Sequence, residues 1–261
     1  MRCRWNNGGA MTIRLTINDI PVNAQPGEYV LNVARRHGFS IPSLCSHEAV
    51  EPIGACRVCL IELTSSGHTT LTSSCNVPVE DGLQVITDSP AIRKHRAMNL
   101  ELLLARAPAS EALHRLAAEN GVFHSRFMMH DENWMQNCIL CELCTRVCAQ
   151  LGHNALSVIG RGDSKHIGLP FDQPAATCVG CGSCASVCPT RCIPIQDTKT
   201  TRTIWGRTFK YILCKVCHAP VITEEHHQHA LNHAELPEDY YDVCESCKQA
   251  INAERFTALV R

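Results

Sequence analysis

The sequence reads CILCELCTRVC over residues 138–148 and CVGCGSCASVCP over residues 178–189, and this double run of cysteines decides the fold around it. The same C-x2-C-x2-C-x3-C spacing occurs twice, at Cys138, Cys141, Cys144 and Cys148 and at Cys178, Cys181, Cys184 and Cys188. Three thiols, with two residues between neighbours on a curled loop, can occupy three corners of a cubane. A helical turn carries the fourth thiol away from that loop. The spacing therefore predicts two [4Fe–4S] clusters, each completed by the last cysteine of the other run.

This exchange of the fourth cysteine fixes the expected ligand sets. One cluster is assigned to Cys138, Cys141, Cys144 and Cys188, and the other to Cys178, Cys181, Cys184 and Cys148. Structural zinc or disulfides explain the pattern less well, because zinc sites favour paired C-x2-C knuckles. This part of the chain resembles the two-cluster module of bacterial ferredoxins.

The composition favours metal binding over disulfide bonding. The 261 residues include 18 cysteines, and 24 basic against 25 acidic residues give a net charge of −1, which indicates no surface for nucleic acid. The N-terminal sequence has no apolar signal segment, and no apolar run is long enough to span a membrane. We therefore expect a cytoplasmic protein without direct membrane insertion, whose thiols meet a reducing environment. Residues 1–10, with Cys3, are expected to be a disordered leader.

Residues 11–89 carry the pattern of a small α+β domain. Apolar residues alternate along TIRLTINDIPVNAQ (residues 12–25), and Asn18-Asp19 is a turn signal, so a β-hairpin is predicted. Apolar residues then recur at helical spacing over residues 28–37, with Gly38 just beyond. A hairpin followed by a helix is the opening of a β-grasp fold.

A second cysteine pattern lies within this domain. Its members are Cys45, Cys56, Cys59 and Cys75. Three thiolates on one loop and a fourth from a distant strand edge suit a flat [2Fe–2S] cluster, which needs two ligands for each iron. The small residues Gly54 and Ala55 would let backbone amides approach the sulfurs. A structural zinc site is the alternative.

The phrase GACRVCLIEL (residues 54–63) resembles the [2Fe–2S] domain of the large iron–sulfur subunit of respiratory complex I. That domain recurs in iron-only hydrogenases, NAD-linked hydrogenases and cytosolic formate dehydrogenases. The resemblance continues through a helix predicted from Pro90, capped by Ser89, to about Ala107. Complex I relatives then hold a further [4Fe–4S] cluster with one histidine and three cysteines. Here no cysteine lies between Cys75 and Cys138, so that cluster is expected to be absent, and His95 is expected to be an ordinary histidine.

Two further C-x2-C knuckles occur near the C-terminus. They consist of Cys214, Cys217, Cys244 and Cys247. Facing knuckles make a tetrahedral S4 site, for which zinc is expected, with a further iron–sulfur cluster or a single iron as the alternative. Histidines around the helix-like span between them are expected to form a solvated face, and they are His218, His226, His227, His229 and His233.

The expected organisation is α+β, in five segments. Residues 1–10 form the leader, 11–89 a β-grasp [2Fe–2S] ferredoxin domain, 90–132 a helical linker, 133–196 a bacterial-type 2[4Fe–4S] ferredoxin domain, and 197–261 a small metal-bound ribbon.

The sequence contains no dinucleotide fingerprint, flavin motif or Walker A motif. Together with the resemblance, this predicts an electron-transfer subunit of a multisubunit cytosolic oxidoreductase of the hydrogenase, formate dehydrogenase or NADH-dehydrogenase type. Its expected partners in a hetero-oligomeric complex are a flavin/NAD(P)-binding subunit and a catalytic redox subunit. The alternatives are a stand-alone polyferredoxin-like carrier and an iron–sulfur redox sensor.

Overall fold

The computed structural model describes residues 12–127 and 137–259, so the predicted leader and Cys3 lie outside the described residues. The chain divides into two compact units between Cys141 and Glu142. The first unit contains strands β1 (Ile13–Ile17), β2 (Ile20–Ala24), β3 (Leu60–Ser65), β4 (His68–Ser73) and β5 (Gln84–Ile86), and helices α1 (Val30–Arg36), α2 (Pro90–Arg106) and α3 (Glu111–Glu119).

The second unit is likewise a mixture of short strands and helices. Its strands are β6 (Ser157–Ile159), β7 (His166–Gly168), β8 (Ile195–Asp197), β9 (Thr201–Ile204), β10 (Arg207–Leu213) and β11 (Pro220–Thr223), and its helices are α4 (Leu143–Gln150), α5 (Ser183–Ser186), α6 (Glu224–His233) and α7 (Glu245–Leu259). The predicted α+β class is confirmed.

The first unit has the predicted β-grasp sheet. Its strand order is β2-β1-β5-β3-β4, with β1 and β5 parallel and the other pairs antiparallel. The predicted hairpin turn is present, and φ is 50° at Asn18 and 63° at Asp19, as a two-residue type I′ turn requires. Helix α1 packs on the sheet through its buried residues Val30, Leu31, Val33 and Ala34.

Each of the two helices that follow begins at a serine cap, and the cap at Ser89 is the predicted one. The Ser89 hydroxyl accepts a hydrogen bond from the Ile92 N–H at 3.2 Å, and Pro90 occupies the first turn of α2. The Ser110 hydroxyl accepts from the Leu113 N–H at 3.3 Å at the start of α3. None of the helices in the described part of the chain combines the length and apolar character needed to cross a membrane.

In the second unit, α4 and α5, which carry cysteines of the double run, begin in the same way. Glu142 precedes α4 with φ 60°, and Gly182 precedes α5 with φ 79°, so a left-handed residue turns the chain into each helix. The unit also contains an antiparallel sheet in the order β11-β10-β9-β8. The predicted boundary between residues 196 and 197 falls inside β8, so one sheet joins the end of the ferredoxin segment to the C-terminal segment (residues 197–259).

Candidate metal centres

Four buried cysteines meet in the first unit. They are 4% exposed or less, and are Cys45, Cys56, Cys59 and Cys75. The loops after α1 and before β3 supply the first three, and a 3-10 turn after β4 supplies Cys75. The Cys45 thiol hydrogen-bonds to those of Cys56 and Cys75, and the Cys59 thiol to that of Cys75. The structure thus brings together all four cysteines predicted to hold the [2Fe–2S] cluster.

Hydrogen bonds between these thiols lower the pKa of two of them and raise the pKa of the other two. Contacts with the Cys56 and Cys75 thiols lower the pKa of Cys45, and the N–H groups of Cys56, at 3.4 Å, and Ala55 lower it further. Contact with the Cys75 thiol lowers the pKa of Cys59 to about 6. The same thiol contacts raise the pKa of Cys56 and of Cys75. Since the thiolate is the metal ligand, donors aimed at sulfur favour the ligating form.

The loop that supplies these donors depends on Gly54. Its φ is 63°, and an added Cβ would lie 3.2 Å from the Asn76 amide nitrogen. The predicted role of this small residue agrees with that geometry, because a left-handed turn brings the next two N–H groups to Cys45.

Sequence reasoning missed Arg96, which fastens the same loop. This side chain on α2 is 7% exposed and donates to the carbonyls of Val58, Leu60 and Thr87 at 3.0, 3.1 and 3.4 Å. Burial lowers the pKa of Arg96. Because Val58 lies between Cys56 and Cys59, the guanidinium fixes the backbone that carries two predicted ligands. The helical period places Arg96 on the buried face of α2, which is the one signal in the sequence that could have identified it.

One of the two predicted [4Fe–4S] sets lies wholly within the second unit. Its members, Cys178, Cys181, Cys184 and Cys148, line a single cavity. The Cys148 thiol accepts a hydrogen bond from the Ala155 N–H at 3.3 Å, and the Cys178 thiol accepts from the Gly180 N–H. Cys184 is buried and the other three are half-buried. Thiols around one cavity, with N–H donors to their sulfurs, are the donor set that an iron–sulfur cluster needs.

Burial makes the thiols of Cys148, Cys178 and Cys184 weaker acids. Desolvation raises the pKa of Cys148 and of Cys178, and raises that of Cys184 to about 11. Burial therefore favours the protonated form of these thiols, and a metal that binds them has to displace protons.

The other predicted [4Fe–4S] set is divided between the units. Cys138 and Cys141 belong to the first unit, and Cys144 and Cys188 to the second. Within the first unit the Leu140 N–H donates to the Cys138 thiol at 3.4 Å, in the same relative position as Gly180 and Cys178. In the second unit the Cys192 N–H donates to the Cys188 thiol at 3.3 Å. These four cysteines remain a ligand set predicted from their spacing.

The C-terminal segment packs on the loop that bears Cys178 and Cys181. The Phe209 ring is fully buried, and a Cβ added to Gly180, whose φ is 66°, would lie 2.6 Å from it. Three side chains of the segment donate to carbonyls of the loop, namely Arg207 to Cys178 at 2.9 Å, Thr223 to Val179 at 2.6 Å and Arg202 to Cys181 at 2.9 Å. Sequence reasoning missed these contacts, because the two segments are more than 20 residues apart.

The two C-terminal knuckles converge as predicted. The sulfurs of Cys214, Cys217, Cys244 and Cys247 all lie within 4.8 Å of one another, and those of Cys217 and Cys244 are 3.6 Å apart. Backbone N–H groups, that of Cys244 foremost, lower the pKa of Cys214 to about 6, whereas contact with the Cys244 thiol raises that of Cys247 to about 12. The group can hold a metal ion.

The histidine face of α6 is less solvated than expected, because His226, His227 and His229 are half-buried. His153, which is 5% exposed, lies with its ring centroid 4.4 Å from that of His229 and 6.5 Å from that of His226. Burial lowers the pKa of both His153 and His226. The reason is that α6 turns this face toward the ferredoxin segment. In contrast, His95 is exposed and bonds within its own helix, to the Ala91 carbonyl at 2.8 Å.

Comparison with known families identifies both ferredoxin segments. Residues 10–90 match the 2Fe-2S iron-sulfur cluster binding domain, and residues 137–192 match the 4Fe-4S dicluster domain. The chain is an iron–sulfur protein that joins these two domains. The second match includes all eight cysteines of the double run.

Known relatives of this iron–sulfur protein are oxidoreductase subunits. It is 30% identical over 227 residues to the NADPH-Fe(3+) oxidoreductase subunit alpha of Geobacter sulfurreducens. The aligned region covers 78% of this chain and 26% of that protein. It is 30% identical over 201 residues to an NADH-quinone oxidoreductase subunit of Rhizobium meliloti, which covers 68% of this chain and 23% of that protein. The iron–sulfur protein thus spans about a quarter of the length of these curated relatives.

A solved structure matches part of this fold. It is that of an NAD+-reducing [NiFe]-hydrogenase in the H2-reduced state, with a TM-score of 0.55 and 29% identity, over 60% of this chain and 74% of the hydrogenase chain. The predicted resemblance to complex I and NAD-linked hydrogenase subunits is confirmed.

Proposed function

We propose that this chain is the electron-transfer iron–sulfur subunit of a multisubunit oxidoreductase. The observation that carries the proposal is the group of four thiols that line one cavity at the buried Cys184, with backbone N–H donors directed at the sulfurs of Cys148 and Cys178. An iron–sulfur cluster, when bound, accepts and releases single electrons. The protein residues hold the sulfurs, limit water access and stabilise the added negative charge with N–H dipoles.

The proposed ligand sets are those expected from the sequence. They are Cys45, Cys56, Cys59 and Cys75 for one [2Fe–2S] cluster, Cys138, Cys141, Cys144 and Cys188 for one [4Fe–4S] cluster, and Cys178, Cys181, Cys184 and Cys148 for the other. Thiols bind iron where disulfides do not form, so we place the protein in a reducing compartment such as the cytoplasm.

The proposed partners follow from the electron count. The relatives are named for reactions of NADPH, NADH or NAD+, and a nicotinamide exchanges a hydride, which carries two electrons. A flavin can exchange either two electrons or one, so a flavin/NAD(P)-binding subunit would supply a chain of one-electron centres. A catalytic redox subunit would stand at the other end.

For the C-terminal site we propose one structural zinc ion. Four sulfurs at about 2.3 Å from a central ion, in a tetrahedron, are about 3.8 Å apart. The 3.6 Å between the sulfurs of Cys217 and Cys244 fits that value, whereas sulfurs bound to four different irons of a cubane must lie farther apart. Anaerobic metal analysis should therefore give about ten iron atoms and one zinc per chain, whereas a fourth [4Fe–4S] cluster would raise the iron to about fourteen.

Native purification tests the assignment as a subunit. The tagged chain should elute from anaerobic size-exclusion chromatography with larger chains, which mass spectrometry should identify as a flavin/NAD(P)-binding protein and a redox enzyme. Elution as a single iron-containing chain of 28.8 kDa would favour the stand-alone carrier.

A further inference from the structure

An unusual turn in the C-terminal segment lies at the cavity of the second unit. Strands β9 and β10 are joined by Trp205 and Gly206, with Ile204 paired to Arg207 on either side. Their φ values are 53° and 71°, so both turn residues are left-handed, as in a type I′ turn. Asn, Asp or Gly is common at the first position, and a tryptophan there is held against its conformational preference. Backbone strain of this kind is often found at residues whose side chains have a function.

The indole of Trp205 contacts a predicted ligand. Its Nε1–H donates a hydrogen bond to the Cys184 sulfur at 3.4 Å, and its ring lines the same cavity as Cys148 and Cys178. Cys184 is 8% exposed, so little water competes for this sulfur.

Two arginines on either side fasten the turn to the cysteine loop. Arg202 donates to the carbonyls of Gly180 and Cys181, at 3.1 and 2.9 Å, and Arg207 donates to that of Cys178 at 2.9 Å. Both guanidiniums thus hold the hairpin against the loop that leads to Cys184. The hydrogen bonds of these two arginines therefore fix the position of the indole relative to the cysteine loop.

We propose that Trp205 is a positioning residue that raises the reduction potential of the centre held by Cys148, Cys178, Cys181 and Cys184, through its Nε1–H bond to the Cys184 sulfur. The inference rests on the proposed function. Adding an electron increases the negative charge on the ligand sulfurs, and a donor stabilises the reduced state more than the oxidised one. The donor therefore shifts the potential upward at this centre alone.

The test is a redox titration of the full chain, purified anaerobically with its iron, followed by electron paramagnetic resonance. Trp205→Phe removes the donor and keeps an aromatic ring over the sulfur, so the change in water access is small. One [4Fe–4S] signal should move to a lower midpoint potential, while the other [4Fe–4S] signal and the [2Fe–2S] signal stay in place. Full iron content with all potentials unchanged would overturn the inference and leave the proposed function intact. Loss of iron from the wild-type chain would instead count against the proposed function.

Phe171 provides a matched control. It is also an aromatic residue in the left-handed region, with φ 57°, but it is 95% exposed. Phe171→Leu should leave every midpoint potential unchanged. A shift equal to that of Trp205→Phe would show that the effect is not specific to the Cys184 contact.

A second measurement does not depend on the stability of the Trp205 variant. The chain has three tryptophans, so Trp5→Phe with Trp134→Phe leaves Trp205 as the only one. With 15N in the indole, pulsed electron paramagnetic resonance of the reduced protein should reveal a 15N hyperfine coupling to one [4Fe–4S] centre. Absence of that coupling in an iron-replete sample would overturn the inference.

Discussion

Replacement of Arg96 by methionine should weaken the [2Fe–2S] domain strongly. The substitution removes three hydrogen bonds from a buried guanidinium, at 3.0, 3.1 and 3.4 Å, and leaves three carbonyls without that donor. Hydrogen bonds to charged groups contribute about 1.5–3 kcal/mol each, and the relief of guanidinium desolvation offsets part of the loss. We expect a net loss of about 3 kcal/mol. With a urea dependence of about 1.5 kcal/mol per M, the midpoint should fall by about 2 M.

The assay is an anaerobic urea titration of the iron-loaded full chain, with visible circular dichroism of the [2Fe–2S] centre as the signal. Arg93→Met on the same helix is the control, because Arg93 forms a surface ion pair with Asp88 and its side chain is 69% exposed. Such pairs contribute up to about 1 kcal/mol. Equal midpoint shifts for the two variants would refute the idea that Arg96 fastens the cysteine loop.

Three further predictions concern the cysteine sites. Cys181→Ser should abolish one [4Fe–4S] resonance and leave the [2Fe–2S] spectrum intact. Cys192→Ser should retain the signals of all three clusters. Loss of both the [4Fe–4S] and the [2Fe–2S] signals in Cys181→Ser would contradict the separate ligand sets. The zinc affinity of the metal-free C-terminal site, measured by competition with a chelator, should rise from pH 7 to 9. The pKa of Cys247 is raised to about 12, so zinc must displace its proton. An affinity that does not change with pH would argue against this thiol as a ligand. Gly180→Ala should lose iron, since its Cβ would lie 2.6 Å from a buried ring, while Gly162→Ala, with φ 60° and no atom within 4 Å, should keep it; equal iron content would show that the loop can shift.

Local features of this protein could be predicted because their causes lie within a few residues of chain. The turn at Asn18-Asp19 and the cap at Ser89 were predicted correctly, since their hydrogen bonds join neighbouring residues. Cysteine spacing predicted which thiols lie together around Cys45 in the first unit and at the C-terminal site, because loop geometry limits where each sulfur can lie.

The sequence alone therefore determined the class of fold and the grouping of cysteines along the chain, whereas the tertiary structure decided what surrounds each group of cysteines. Arg96 bonds to a carbonyl 38 residues away, and Trp205 to a sulfur 21 residues away. The packing of α6 likewise leaves His226 and His229, which were expected in solvent, half-buried beside His153. Ligand spacing is a short-range property of the chain, but the donors and side chains that enclose a centre come from segments that meet only when the whole unit packs.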